Sequence, residues 1–135
     1  MAGTCLERMA VVAGPAIRAR IAAALATDRP TALADGAGLA EVASAARGGD
    51  PAARRLLDEE ARFVALGIAA VAAVVDPDLV VLSGGVGAVA DLLEPVRAHV
   101  ARLSSRPPRV VTGLLGERAP LVGALELARD LARLA

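Results

Sequence analysis

The chain has 135 residues, 56% of them hydrophobic, with 15 Lys and Arg balanced by 15 Asp and Glu. One domain with a true core is expected at this length. Zero formal net charge gives no electrostatic basis for nucleic-acid contact, and a single aromatic residue, Phe63, excludes a base-stacking platform and argues against an aromatic-walled sugar site.

The single cysteine, Cys5, rules out an internal disulfide and fits a reducing, cytoplasmic setting. The longest apolar run, Val64 to Val75, is too short to span a bilayer, and the amino terminus lacks a signal-peptide pattern. A cytoplasmic protein without membrane contact is therefore expected. Its high apolar fraction predicts a surface that meets a second copy or a missing part of the protein.

In chain order, Cys5 to Ala26 reads as helix interrupted at Gly14-Pro15, with a new helix starting near Pro15. Thr27 to Gly38 reads as loop, and Leu39 to Ala46 as a short helix ended by Gly48-Gly49, which suits a left-handed cap. Asp50-Pro51 opens the longest helix, with Asp50 as cap and Pro51 in the first turn. Leu57, Ala61, Val64, Ile68, Val71 and Val75 make one helical face. The second half of that helix carries no charge and is expected to be buried all round.

Asp76-Pro77 ends the helix. Leu79 to Leu82 then reads as a buried strand of a parallel sheet covered on both faces. After Ser83-Gly84-Gly85-Val86-Gly87 comes an amphipathic helix with the stripe Val89, Leu92, Leu93, Val96, Val100 and Leu103. Arg109 to Thr112 is a second strand, which makes a strand–helix–strand crossover. Pro120 opens a last helix with Leu121, Leu125, Ala128 and Leu131 inward. Two strands are few for such a sheet, where about four to six are typical, so the chain reads as part of a larger α/β domain.

The strand–glycine–helix passage carries the strongest chemical signal. Such a turn brings bare backbone N–H groups to a phosphate or another polar ligand, or it simply reverses the chain. GGxG is neither a Walker loop, since no Gly-Lys-Ser follows, nor a complete dinucleotide fingerprint. Ser83 could donate to a ligand or cap the turn, and the cap is favoured. Gly113, Gly116 and Gly123 are expected to serve turns and close helix packing. His99 is expected at the boundary of its helix, with no second His to form a catalytic arrangement.

The segments "CLE", "AGPAI", "ARGGDPAARRLLDEEARFVALGIAAVAAVVDPDLVVLSGGVG", "LLEPV" and "LGERAPLVGAL", in this order and spacing, resemble the carboxy-terminal half of the ROK family. That family comprises sugar kinases and sugar-responsive transcriptional repressors. The resemblance implies the carboxy-terminal lobe of an actin-like, ribonuclease-H-like ATPase fold, helix-rich with a small, partly parallel sheet. It implies one domain over residues 1–135, without the amino-terminal lobe or any DNA-binding domain, and so a truncated or split bacterial protein.

By the same resemblance Glu7 corresponds to a sugar-hydroxyl acceptor, and Gly84 and Gly85 border the adenine nucleotide. Cys5 is a remnant of a zinc motif, with Thr4 where the family has Gly, and two residues are inserted between Glu7 and Gly14-Pro15. A zinc site is not expected from Cys5 alone, since structural zinc takes about four ligands. The family's catalytic aspartate has no counterpart here. The first functional expectation is the sugar-sensing portion of a regulator without catalysis of its own, binding a sugar or sugar-derived molecule. The alternative is the carboxy-terminal lobe of an ATP-dependent sugar kinase, using ATP and Mg when intact.

Overall fold

The computed structural model describes residues 14–26, 31, 33–34 and 36–134. Cys5 and Glu7 lie outside the described residues. Helix α1 (Gly14–Leu25) starts at the Gly14-Pro15 break, as the fixed backbone of proline in a first turn favours. Helix α2 (Leu39–Arg47) begins with Glu41 Oε2 accepting from the Gly38 N–H at 3.0 Å. It ends with Gly48, Gly49 and Asp50 N–H groups bonded back to Ser44, Ala46 and Ala45. The left-handed residue there is Gly49, φ +97°, while Gly48 stays right-handed at −69°.

Helix α3 (Pro51–Val75) is the scaffold of the fold. Asp50 caps it, with Oδ1 accepting from the Ala52 N–H at 2.8 Å and the Ala53 N–H at 3.1 Å. The other carboxylate oxygen takes the Thr31 hydroxyl at 2.8 Å, which fastens the preceding loop to the cap. Leu56, Leu57, Ala61, Val64, Ala65 and Ile68 form its buried face. Asp76 closes the helix in the left-handed conformation, φ 46°, with its N–H on the Ala72 carbonyl.

Strand β1 (Leu79–Leu82) pairs in parallel with β2 (Arg109–Thr112), in register from Leu79↔Arg109 to Leu82↔Thr112. The crossover runs through the short helical turn α4 (Gly84–Gly87), a 3-10 turn (Ala90–Leu92) and α5 (Leu93–Leu103). A second 3-10 turn (Gly116–Arg118) leads into α6 (Ala119–Leu134). Helices α2 and α5 pack on α3, and Val42, Leu92, Val96, Val100 and Val110 complete one buried cluster with its inner face. The fold class is the expected one, helix-rich with a small parallel sheet.

Three burial expectations are corrected. The charge-free second half of α3 is not buried all round, because Val71, Val74 and Val75 are exposed. Strand β1 is covered on one face only. Val80 and Leu82 pack on the core, whereas Leu79 and Val81, on the opposite face, are about half exposed. Leu121, Leu125 and Leu131 of α6 are exposed, not inward. The physical reason is common to all three. Periodicity fixes which side chains share a face, but nothing among the described residues covers these faces. The stripe of α5 holds from Val89 to Val100 and fails at its last member, Leu103, which is also exposed.

Among the described residues one charge is buried. Glu60 is 2% exposed and takes both its bonds from Arg20 of α1, Nε to Oε1 at 2.5 Å and Nη2 to Oε2 at 2.6 Å. The same guanidinium lies over the Phe63 ring, 4.5 Å from its centre. This fork fixes α1 on α3, where α1 otherwise contributes Ile21 to the core. Replacing Glu60 with Ala removes the buried half of this fork and is expected to cost about 3 kcal/mol, as removal of one partner of a buried pair does. The double variant Arg20→Met with Glu60→Leu is expected to recover most of that loss. Urea denaturation of the three chains measures both effects.

Candidate functional site

The sequence after β1 folds as it does because of one carbonyl. The Leu82 oxygen accepts the Gly113 N–H at 2.7 Å, extending the sheet one residue past each strand. A Cβ on Gly87 would lie 2.4 Å from that oxygen and 2.6 Å from its carbon, so only glycine fits there. A Cβ on Gly113 would meet the same oxygen at 3.4 Å and the Ser83 Cβ at 3.6 Å. Gly84 enters the turn at φ +66°, a region that side chains disfavour. The helical turn then closes through Gly87 N–H to Ser83 O at 3.3 Å and Ala88 N–H to Gly84 O at 3.0 Å.

These bonds place the Ser83–Gly87 turn beside the Gly113–Arg118 segment. Both follow parallel strands, so both sit at the carboxyl ends, where open α/β sheets bind ligands. Ser83 is not a side-chain cap, contrary to expectation. Its hydroxyl lies 3.5 Å from the Gly116 carbonyl, a long contact that joins the two turns. Gly116 has φ +51° and serves a turn as expected. Gly123 does not pack closely, since a Cβ there would meet nothing within 4 Å.

Rigid contacts hold the site from behind. Arg47, at the end of α2, pairs with Asp91 in the 3-10 turn that follows the glycines. Arg97 Nε donates to the Val110 carbonyl at 2.8 Å and fixes α5 on β2. Gly84 is half-buried and Gly85 is exposed, so their backbone is open on one side. The leading N–H groups of a helical turn, here those of Gly84 and Gly85, have no intrahelical partner.

Sequence reasoning did not single out the other side of this corner. Leu114 is fully exposed and Leu115 half exposed, and Arg118 stands exposed just after them. Two adjacent leucines after a strand read as core in any pattern, so no signal marked them. The charged residues elsewhere make a different surface. An open concavity of about 370 Å3 is walled by Arg54, Arg55, Asp58, Glu59 and Arg62 of α3, with no residue of the glycine turn. His99 is a boundary histidine, as expected. Its Nε2 lies 2.8 Å from Asp58 Oδ1 and its Nδ1 2.7 Å from Arg102 Nη2, linking α5 to α3.

Gly84 and Gly87 put no side chains into the turn. Among the described residues no group of three or more His, Cys, Asp and Glu converges to hold a metal ion. Among them also, no helix is long and apolar enough to cross a membrane.

The model of the ROK family matches residues 1–131. A glucokinase of Streptomyces coelicolor is 35% identical over 119 residues, which cover 84% of this chain and 36% of that protein. The bifunctional enzyme NanE/NanK of Brucella melitensis is 34% identical over 110 residues, covering 71% of this chain and 21% of that protein. Among solved structures, a ROK family glucokinase from Streptomyces griseus, in complex with glucose and AMPPNP, is 37% identical with a TM-score of 0.61. The match covers 66% of this chain and 30% of that one. A ROK hexokinase from Thermus thermophilus is 31% identical with a TM-score of 0.65, covering 87% and 39%. The chain thus spans between a fifth and two-fifths of the length of these relatives. Three of the four are named as glucokinases or a hexokinase, and none of the four lends support to the preference for a regulator.

Two glycines of the corner and one in α6 are expected to differ in sign when replaced. Gly87→Ala forces the turn off the Leu82 carbonyl and lowers stability by about 2 kcal/mol or more, as overpacking does. Gly84→Ala costs about 1 kcal/mol through its positive φ. Gly123→Ala, in open helix, raises stability by up to about 1 kcal/mol. Thermal melts of the three variants check the order.

Proposed function

The chain belongs to the ROK family, and from that membership we propose that its 135 residues form the carboxy-terminal, nucleotide-side domain of a sugar kinase. The observation that supports this reading is the corner at the carboxyl ends of β1 and β2. There Gly84, with φ +66°, and Gly87, pressed on the Leu82 carbonyl, leave the backbone bare for a ligand. The glucokinase from Streptomyces griseus, with AMPPNP in its complex, supports an adenine nucleotide as that ligand.

In this reading Gly84 and Gly85 border the nucleotide and Glu7 accepts hydrogen bonds from sugar hydroxyls, a task suited to a carboxylate with two oxygens. The chain's own contribution is positional. The turn presents N–H donors without side chains in the way, and the Leu82–Gly113 bond holds the two loops in register. The phosphoryl acceptor is a sugar hydroxyl, which loses its proton to a general base as it attacks the γ-phosphate. The charge of the phosphates would be neutralised by a magnesium ion bound with them, for which the described residues offer no cluster of three or more His, Cys, Asp and Glu. In this reading the base lies in the part of a kinase that this chain does not match, so the chain carries part of the machinery.

The purified chain is therefore expected to bind ATP and not to turn it over. In a calorimetric titration Gly85→Val, which puts a branched side chain on the open face, is expected to weaken ATP binding at least tenfold. A coupled assay for ADP with glucose present is expected to show no sugar-dependent rate. Sugar-dependent turnover by the chain, lost in Gly85→Val, overturns the partial-machinery reading. Absence of ATP binding overturns the nucleotide site.

A further inference from the structure

We propose that His99 is a proton-operated clasp on the seam between α3 and α5, which holds Arg102 while its ring is neutral and releases it when the ring takes up a proton. The imidazole is bonded at both nitrogens. Its Nε2 lies 2.8 Å from Asp58 Oδ1 of α3, and its Nδ1 lies 2.7 Å from Arg102 Nη2, three residues on along α5. The His99 side chain is 12% exposed, whereas Asp58 is 67% exposed and Arg102 is exposed as well. The ring is thus held in the seam while both of its partners stand largely in water.

Chemistry decides which nitrogen carries the hydrogen. A guanidinium stays charged and has only donors, so Arg102 donates and Nδ1 accepts. A carboxylate has only acceptors, so Nε2 carries the hydrogen and donates to Asp58. The neutral ring with its hydrogen on Nε2 is the one form that satisfies both contacts at once. A further proton has one place to go, which is Nδ1. Two donors, both on cations, would then face each other across the Nδ1–Nη2 contact. That contact must open, while the bond to Asp58 gains an opposite charge. One proton therefore trades one partner for the other, and imidazole makes this change of charge between about pH 5 and about pH 8. The surrounding charges have other engagements. On α3, Arg54 donates to the Ala46 carbonyl, and Arg55, Glu59 and Arg62 wall the same open concavity as Asp58 without bonding to the ring. On α5, Arg97 pairs with Glu94. The other elements packed on α5 bring Asp91, which Arg47 engages, and the exposed Arg109 of β2.

The test uses the 135-residue chain, whose single histidine makes the imidazole signals unambiguous. Nitrogen-resolved NMR of the ring at about pH 8 is expected to show the form with hydrogen on Nε2. As the ring titrates towards acid, the Arg102 side-chain resonance, identified by its loss in Arg102→Met, is expected to shift in step with it. A double-mutant cycle of His99→Ala and Arg102→Met, read by urea denaturation, measures the clasp directly. At about pH 8 the coupling is expected to be about two- to fivefold in the unfolding constant, the size found for exposed partners. At about pH 5 it is expected to be gone. The cycle of His99→Ala with Asp58→Ala is expected to run the other way, with the larger coupling in acid. A ring with its hydrogen on Nδ1 at about pH 8 overturns the clasp. So does an Arg102 resonance indifferent to the ring's titration, or a His99–Arg102 coupling that is the same at both ends of the range. The ring measurement needs the parent chain alone, so it decides even where a variant loses its fold.

Discussion

The carbonyl of Leu82 is the constraint on which the geometry of the carboxyl edge depends. It ends β1, accepts the N–H of Gly113 as β2 ends, and lies where a side chain on Gly87 would have to go. Three backbone segments therefore converge on one oxygen. Such convergence is possible only with glycine at the approaching position, because any Cβ at 2.4 Å from an oxygen is far inside van der Waals contact. The consequence is local bareness. The turn that the packing forces to be free of side chains is the turn that can meet a ligand with backbone alone, so structural necessity and ligand access are one arrangement.

Behind that edge, α3 organises everything else. Its cap at Asp50 takes three hydrogen bonds from Thr31, Ala52 and Ala53, so the loop before the helix and the first turn are fixed together. Its inner face carries α1, α2 and α5. The Arg20–Glu60 fork sets the seat of α1 through direction, which apolar contact alone does not provide, because a bidentate pair admits one orientation of the guanidinium. Farther along, the Arg47–Asp91 pair and the bond from Arg97 to Val110 carry this rigidity to the sheet. The site stands on regular elements, with the glycine turn and the Gly113–Arg118 segment as its irregular parts.

Much of this was legible in the residues. Asp50-Pro51 announces a capped helix start by chemistry that needs no tertiary context, and both strands stand where their β-branched runs place them. The inner stripe of α3 holds from Leu57 to Ile68. It then fails at Val71 and Val75, and the same failure recurs at Leu79, Val81 and along α6. A period of 3.6 or 2 states which side chains point the same way and is silent on what lies opposite. Gly84 and Gly85 drew notice as a glycine pair. The reason Gly87 is glycine is a contact with Leu82 that no local pattern contains. A serine before a helical turn ordinarily caps it. Here the Gly116 carbonyl, brought alongside by the parallel pairing, lies within reach of the hydroxyl.

The bare faces and the one-sided site have a single explanation in the proportions of the molecule. A parallel pair buried on both faces needs helices above and below, and the described residues supply one layer. The chain covers 36% of the Streptomyces coelicolor glucokinase, so most of such a protein lies outside the matched region. Phosphoryl transfer requires a base, a phosphate clamp and an acceptor held in register, and the effective concentration gained by that register is most of the catalysis. In the proposed reading, a corner with glycines on one wall holds the nucleotide against the sheet edge, whereas setting the acceptor in line with the γ-phosphate needs a facing wall. On that proposal binding and turnover are separable, with the division falling at the open side of the Ser83–Gly87 turn.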